Sequence, residues 1–169
     1  MTTGSTPQGM TRREFSSLAG GVLLAAASAS GTVFAKDSAL PVPVSLPQVA
    51  TAAAAKGEPL VLLISLPGCP YCEMVRRSYL LPMRAEGLHA WQISITERSP
   101  SLRGFDGKNT SPEALAAAWK ATFTPTVLFI GPQGQMLAPP LVGIAVPDFY
   151  GAYLDERLAT ARKALAAAR

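Results

Sequence analysis

Two cysteines, Cys69 and Cys72, have the clearest capacity for chemistry in this sequence. They are the only cysteines among 169 residues, and Pro70 and Tyr71 separate them. Two thiols at this spacing can form and break an intramolecular disulfide, so the pattern predicts a redox-active dithiol. A structural zinc site within the chain is not expected, because zinc needs about four ligands and His89 is the only histidine.

The order of the two cysteines predicts different roles for them. Disulfide exchange requires a thiolate, and a free cysteine with a reference pKa of about 8.5 is mostly protonated at neutral pH. Cys69 is predicted to lie at the start of a helix, where unpaired N–H groups and the positive end of the helix dipole stabilise an anion. We therefore expect Cys69 to attack and Cys72, one turn along, to resolve the mixed disulfide. Pro70 suits the first helical turn, and Tyr71 either shapes the partner surface or simply packs there.

The elements that hold these cysteines are a strand and a helix. The apolar run Leu60–Leu66 predicts a buried strand that ends in a Pro-Gly turn. A helix is expected from Tyr71 toward Leu81, kinked or broken at Pro82. The remaining patterns predict, in chain order, an edge strand at 42–46, a helix at 48–56, a strand at 88–95, a loop at 97–110, a helix at 111–121, a strand at 127–130, a hairpin turn at 131–135, a strand at 136–142 and a last helix from Pro147.

This layout resembles the thioredoxin superfamily over about residues 47–165, because a Thr-Pro pair, Thr124-Pro125, precedes the third strand. The resemblance implies an α/β thioredoxin fold, with a central mixed sheet of four to five strands and helices on both faces. It also implies that Pro125 is cis and faces the dithiol, and that the Thr124 backbone binds an extended substrate. The alternative for this pair is an ordinary turn at the entry of a strand.

Finer features of the resemblance point in two directions. The Cys-Pro-Tyr-Cys tetrad is similar to that of glutaredoxins, whereas the Phe105-Asp106-Gly107 stretch resembles exported bacterial thioredoxin-like thiol:disulfide interchange proteins, including the thioredoxin of sulfur-oxidation systems. One residue departs from the family pattern. Leu63 occupies the position, six residues before Cys69, where thioredoxins place a buried acid. Either water or Glu73 replaces that acid, or the mechanism resembles that of glutaredoxin.

The N-terminal residues have the pattern of an export signal. An Arg12-Arg13 pair precedes an apolar run at 18–29, which is too short to span a bilayer, and Val33-Phe34-Ala35 offers small residues for cleavage. The pattern resembles a bacterial twin-arginine signal. We expect a signal peptide at 1–35, an extended segment at 36–46 and a thioredoxin-like domain at 47–169, with periplasmic location and no stable membrane insertion after cleavage. An ordinary helix of the domain and an uncleaved anchor are the alternatives.

The function implied is that of a periplasmic thiol–disulfide oxidoreductase that reduces protein disulfides, needs no cofactor or metal, and is re-reduced by a membrane electron donor of the thiol-relay type. One alternative is a dithiol oxidase or isomerase, although oxidases of this superfamily usually carry a helical insertion for which residues 81–88 leave no room. Another is a non-catalytic binding module with a passive disulfide. The net charge of +4 is scattered, so nucleic-acid binding is not expected.

Other polar and aromatic residues receive structural interpretations. We expect His89 to be a polar residue at a strand edge. Arg76 and Arg77 are interpreted as a solvated helix face, with an anion-attracting rim beside the dithiol as the alternative. Trp91 and Trp119 are assigned to the core. Three carboxylates in or beside the predicted loop share no spacing and are also assigned structural roles: Glu97, Asp106 and Glu113.

Overall fold

The computed structural model describes residues 39–168, so the predicted signal at 1–35 lies outside the described residues. The helices are α1 (Leu46–Ala55), α2 (Pro70–Val75), α3 (Leu81–Ala85), α4 (Pro112–Ala118) and α5 (Tyr150–Ala167). The strands are β1 (Leu60–Ser65), β2 (Ala90–Ser94), β3 (Leu102–Arg103), β4 (Asn109–Thr110), β5 (Thr126–Ile130) and β6 (Leu141–Val142).

One mixed sheet organises the described residues. Its strand order is β2-β1-β5-β6; β1 runs parallel to β2 and antiparallel to β5, and β5 pairs with β6 antiparallel. Every residue of β1 and of β5 is buried. This explains why all residues of β1 except the last, Ser65, are apolar. The predicted α/β fold with a mixed sheet and helices on both faces is confirmed.

Alternate residues of β1 feed two separate cores. Val61 and Leu63 pack with α2 and α5 on one face, whereas Leu60, Leu62 and Ile64 pack with α1 and α4 on the other. This alternation follows from the period of two along a strand. Because both faces are covered, β1 is buried along its whole length, whereas the turn that follows it is exposed.

The helix that follows the dithiol is interrupted rather than ended at Pro82. A π-helical turn at Arg76–Leu80 joins α2 to α3, and Pro82 lies in the first turn of α3. Proline cannot donate to the carbonyl one turn earlier, and a π turn is a common place for a helix to change direction. The α-helical path is therefore interrupted just before Pro82, and it continues to Ala85, two residues before Gly87, whose φ is +111°.

Three expectations about strands need correction. No strand forms at 42–46, because Pro43 and the flanking Pro41 and Pro47 lack N–H groups. The segment makes an isolated bridge between Ser45 and Arg103, in which Arg103 N donates to the Val44 carbonyl, and Gln92 N donates to the Pro41 carbonyl. The loop at 97–110 contains the β3–β4 ribbon. The strand at 136–142 is reduced to a bridge at Met136 and the short β6, with the Pro139-Pro140 pair between them.

The two tryptophans are half-buried at the margin of the core rather than inside it. The Trp91 ring lies 5.1 Å from the Arg84 guanidinium, which covers its outer face. None of the helices within residues 39–168 has the length and apolar character needed to cross a membrane.

Candidate active site

The turn after β1 delivers the first cysteine to the start of α2. Gly68 has a φ of +74°, a conformation that residues with a side chain rarely adopt, which explains the Pro-Gly pair at this position. The Cys69 N–H donates to the Leu66 carbonyl at 3.2 Å and closes the turn. The turn thus places Cys69 at the N-cap of α2, with extended backbone angles.

Cys69 and Cys72 are joined by a disulfide, and their Cα atoms lie 5.2 Å apart. The Cys69 sulfur also accepts a hydrogen bond from the backbone N–H of Cys72 at 3.2 Å. The two residues differ in access: Cys69 is half-buried, whereas Cys72 is fully buried. A partner can therefore reach the first sulfur but not the second, and the N–H at the helix start is already directed at the first.

The Thr124-Pro125 pair meets the dithiol from the other side. The bond between these residues is cis, Pro125 is buried, and the Thr124 hydroxyl donates to the Cys69 sulfur at 3.9 Å. The Pro125 carbonyl accepts from Gly143 N at 2.7 Å, which ties the loop after β6 to the same bend. Two segments 55 residues apart in sequence are thus brought together at one sulfur.

Apolar residues that neighbour Cys69 and Thr124 in sequence are exposed. Pro70 is exposed and the Tyr71 side chain is 58% exposed, so Tyr71 stands out from the helix start. Phe123, immediately before Thr124, is 72% exposed and was missed by sequence reasoning. An aromatic residue beside a Thr-Pro pair could have indicated it, but its exposure depends on how the 122–125 turn folds.

Leu63, at the position of the buried acid in thioredoxins, is fully buried and pairs across the sheet with Gln92 and Val127. The expectation that Arg76 and Arg77 together form a solvated face is wrong for Arg76. Arg77 has a side chain that is 65% exposed, but that of Arg76 is only 9% exposed. Arg76 is buried because its side chain turns toward β2, where it bonds to Gln92.

The Arg76 guanidinium is held by two partners. Its Nε donates to the Gln92 Oε1 at 2.7 Å, and its Nη1 is ion-paired with the Glu73 carboxylate. The hydrogen bond from Arg76 is the main reason why the pKa of Glu73 is lowered, and Arg77 adds to it. Glu73 is therefore a weak proton acceptor, which disfavours it as a substitute for the missing acid.

The remaining titratable candidates lie elsewhere and have local partners. Burial lowers the pKa of His89, whose carbonyl accepts from Val61 N, so this residue serves the strand pairing as expected. No cluster of three or more His, Cys, Asp or Glu side chains suited to a metal ion occurs within residues 39–168. The three loop carboxylates have structural partners: Ser99 N for Glu97, Lys108 N for Asp106 and Arg98 for Glu113.

The chain is similar to several solved structures, among them a thioredoxin and two Dsb proteins. A poplar thioredoxin h is 21% identical, with 64% of this chain and 85% of that chain covered and a TM-score of 0.45. The oxidised C-terminal domain of DsbD from Neisseria meningitidis is 20% identical, with 65% and 90% covered and a TM-score of 0.45. A DsbH oxidoreductase is 18% identical, with 75% and 88% covered and a TM-score of 0.46. A search of curated protein sequences gave no significant match.

The family assignment comes from the sequence profile of the thioredoxin-like domain. That profile matches residues 46–157, which include β1, the dithiol, the Thr124-Pro125 bend and the first turns of α5. With this match and the sheet order described above, the chain belongs to the thioredoxin-like domain family and carries its Cys-X-X-Cys pair at Cys69 and Cys72.

Proposed function

We propose that this protein is a thiol–disulfide oxidoreductase that reduces disulfides of partner proteins through Cys69 and Cys72. The observation that carries the proposal is the position of the Cys69 sulfur. It is half-buried at the start of α2, bonded to Cys72, and 3.9 Å from the Thr124 hydroxyl. A disulfide that merely stapled the chain would close only a four-residue loop and would add little stability.

The reaction begins from the reduced pair. The Cys69 thiolate attacks one sulfur of a substrate disulfide, the substrate S–S bond breaks, and the first substrate thiolate leaves and takes up a proton. Cys72 then loses its proton and attacks the Cys69 sulfur of the mixed disulfide. The Cys69–Cys72 bond forms, the second substrate thiol leaves with a proton, and two electrons have passed to the substrate. A membrane donor of the thiol-relay type returns them.

Substrate binding is assigned to the residues around the reactive sulfur. An extended peptide would bond to the backbone at Thr124, beside Pro125, while Pro70 and Tyr71 contact its side chains. The exposed Tyr71 ring offers apolar contact area beside the reactive sulfur.

Insulin reduction tests the catalytic proposal. The full-length chain should reduce insulin with dithiothreitol as electron source, and Cys69→Ser should abolish turnover. Cys72→Ser should accumulate mixed disulfides with partner proteins, because the resolving thiol is missing. Equal turnover from wild type and Cys69→Ser, or no trapped partners with Cys72→Ser, would contradict the proposal and favour a non-catalytic module.

The direction of exchange is a separate part of the proposal. We propose a reductant, since α3 runs only from Leu81 to Ala85 and leaves no helical insertion of the kind that oxidases carry. The buried Leu63, in place of an acid, is the observation that favours an oxidant or isomerase instead. Equilibration with glutathione should give a potential near −270 mV for a reductant; a value near −120 mV would support the alternative.

We also propose that the protein acts in the periplasm after export by a twin-arginine signal. This agrees with the resemblance to exported thioredoxin-like proteins, including those of sulfur oxidation. Mature protein from the periplasm should begin at Lys36, and replacing Arg12 and Arg13 by Lys should retain the protein in the cytoplasm. Export that is unchanged in the Lys-Lys variant would contradict this assignment.

A further inference from the structure

Among the residues that the structure describes, Arg76 is the only charged residue that is buried. It lies close to the dithiol in the chain. Arg76 follows Cys72 by four residues, and the Arg76 N–H donates to the Cys72 carbonyl. Residues four apart on a helix lie on the same face, with Cβ atoms about 5–6 Å apart. Cys72 is fully buried and Arg76 is 7% exposed, so both are directed into the protein.

The guanidinium also lies beside the position of the missing acid. Its Nε donates to the Gln92 Oε1 at 2.7 Å, and Gln92 is the neighbour of Leu63 across the β1–β2 pair. Paired residues of adjacent strands point to the same face of a sheet. The side of β1 that carries an acid in thioredoxins therefore carries a leucine, with an arginine one strand away.

The charges near this site sum to one positive charge. Glu73 contacts both Arg76 and Arg77, so the three side chains together carry two positive charges and one negative. The strands packed against α2 add no titratable group, because β1 and β5 contain only apolar residues, serine and threonine. From α5, the Tyr150 hydroxyl is buried and its pKa is raised by that burial, so it stays neutral.

We infer that Arg76 is a positioning residue for the resolving step: its buried guanidinium stabilises the thiolate of Cys72. This inference rests on the proposed exchange function and replaces proton transfer to a buried carboxylate. When Cys72 attacks the mixed disulfide at Cys69, its own proton passes to solvent, and the leaving thiolate takes one up. An adjacent cation increases the fraction of Cys72 that is ionised at neutral pH and so increases the rate of this step.

The test uses dithiobis(nitrobenzoate), an aromatic disulfide that releases a coloured thiolate. The reduced full-length protein releases one thiolate when Cys69 attacks and a second when Cys72 resolves the adduct, so the second phase isolates the Cys72 step. In Arg76→Met the second phase should be about threefold slower at pH 7: a rise of about one unit in the Cys72 pKa lowers the ionised fraction about tenfold, and the more basic thiolate is about threefold more nucleophilic. As the pH rises above the reference pKa of a thiol, about 8.5, this deficit should disappear.

Three controls separate charge from structure. Arg76→Lys keeps the cation and should restore most of the rate, and Arg76→Gln should repeat the slow phase if Arg76→Met folds poorly by circular dichroism. Arg77→Met removes a cation that binds the same Glu73 but is 65% exposed, and because water screens that charge it should slow the second phase much less than Arg76→Met does. In the Cys69→Ser variant Cys72 is the only cysteine, so the ultraviolet absorbance of the thiolate against pH gives its pKa. Adding Arg76→Met to this variant should raise that pKa.

Two results would overturn the inference. One is a second phase that is equally fast in wild type and Arg76→Met. The other is a slow phase that neither Lys nor high pH restores, which would indicate a packing role. Failure of the oxidoreductase proposal would look different, because insulin would not be reduced while the Arg76 effect on the small reagent would remain measurable.

Discussion

The carboxylate of Glu73 connects a buried and an exposed arginine, Arg76 and Arg77, and its pKa is lowered chiefly by the hydrogen bond from Arg76. A group whose pKa is lower in the folded state than in the unfolded state stabilises the fold above its unfolded pKa. That stabilisation is lost as the pH falls through the lowered value. The contribution of the half-exposed Glu73 to the free energy of unfolding can therefore be measured by varying the pH in the acid range.

We expect Glu73→Gln to reduce the free energy of unfolding by about 0.5–1 kcal/mol at pH 7, a range that allows for screening of a side chain that is 46% exposed. The difference from wild type should shrink below the ordinary pKa of a glutamate, 4.5, and vanish below the lower pKa of Glu73 in the folded protein. Urea unfolding at several pH values measures both quantities. The matched control is Glu113→Gln, because Glu113 pairs with the 81%-exposed Arg98; a difference for Glu73→Gln that does not change with pH would contradict the prediction.

At the scale of elements, the short turn after β5 is held by a hydrogen bond of its own and by a contact with a distant loop. The hairpin turn after β5 was predicted at 131–135 from its Gly-Pro-Gln-Gly sequence, and the Gly134 N–H donates to the Gly131 carbonyl at 3.0 Å. The structure adds a contact that the sequence did not indicate. A Cβ at Gly134, where φ is +85°, would lie 2.7 Å from the Phe105 ring. The turn is therefore packed against the loop between β3 and β4.

Two glycine substitutions test this contact. Gly134→Ala and Gly107→Ala share a positive φ, but a Cβ at Gly107 would meet nothing within 4 Å. Both should lose stability from backbone strain, and Gly134→Ala should lose about 1–3 kcal/mol more because Phe105 must shift. Chemical denaturation of both variants gives the comparison. Equal losses of stability in the two variants would show that the loop carrying Phe105 moves aside without a cost in free energy.

At the scale of the whole molecule, two phenylalanines of opposite exposure can separate stability from the proposed substrate binding. Phe129 in β5 is fully buried in the core between the sheet and α5, whereas Phe123 is 72% exposed three residues before that strand. Burial of a large apolar side chain stabilises the fold, and an exposed one contributes little. The two residues therefore form a matched pair for separating folding from function.

We expect Phe129→Ala to reduce the free energy of unfolding by about 3–5 kcal/mol. Phe123→Ala should change stability by no more than about 0.5 kcal/mol and should lower the rate of insulin reduction, since it removes apolar area beside Cys69. Thermal unfolding and the insulin assay, made on both variants, measure the two effects. A Phe123→Ala protein that is as active as wild type would remove this residue from the substrate surface.

Patterns that depend on near neighbours were read correctly from the sequence. The apolar run 60–66, the Pro-Gly turn and the Cys-X-X-Cys spacing predicted β1, the turn and the start of α2, because strand burial, positive φ and helix capping are local requirements. The helix predicted from 111 begins at Pro112, where the Ser111 hydroxyl accepts from Ala114 N at 3.1 Å and caps α4. The order of helices and strands, and hence the fold class, followed from such signals together with the family resemblance.

Contacts between distant segments were decided only by tertiary packing. The approach of Thr124 to Cys69 depends on how β5 pairs with β1, and the burial of Arg76 depends on its meeting Gln92 on β2. A helical period alone shows that Arg76 and Arg77 point about 100° apart, but it does not show which of the two faces the sheet. Which of the two turns inward is set by the strand that lies beneath the helix, and that strand is 16 residues further along the chain.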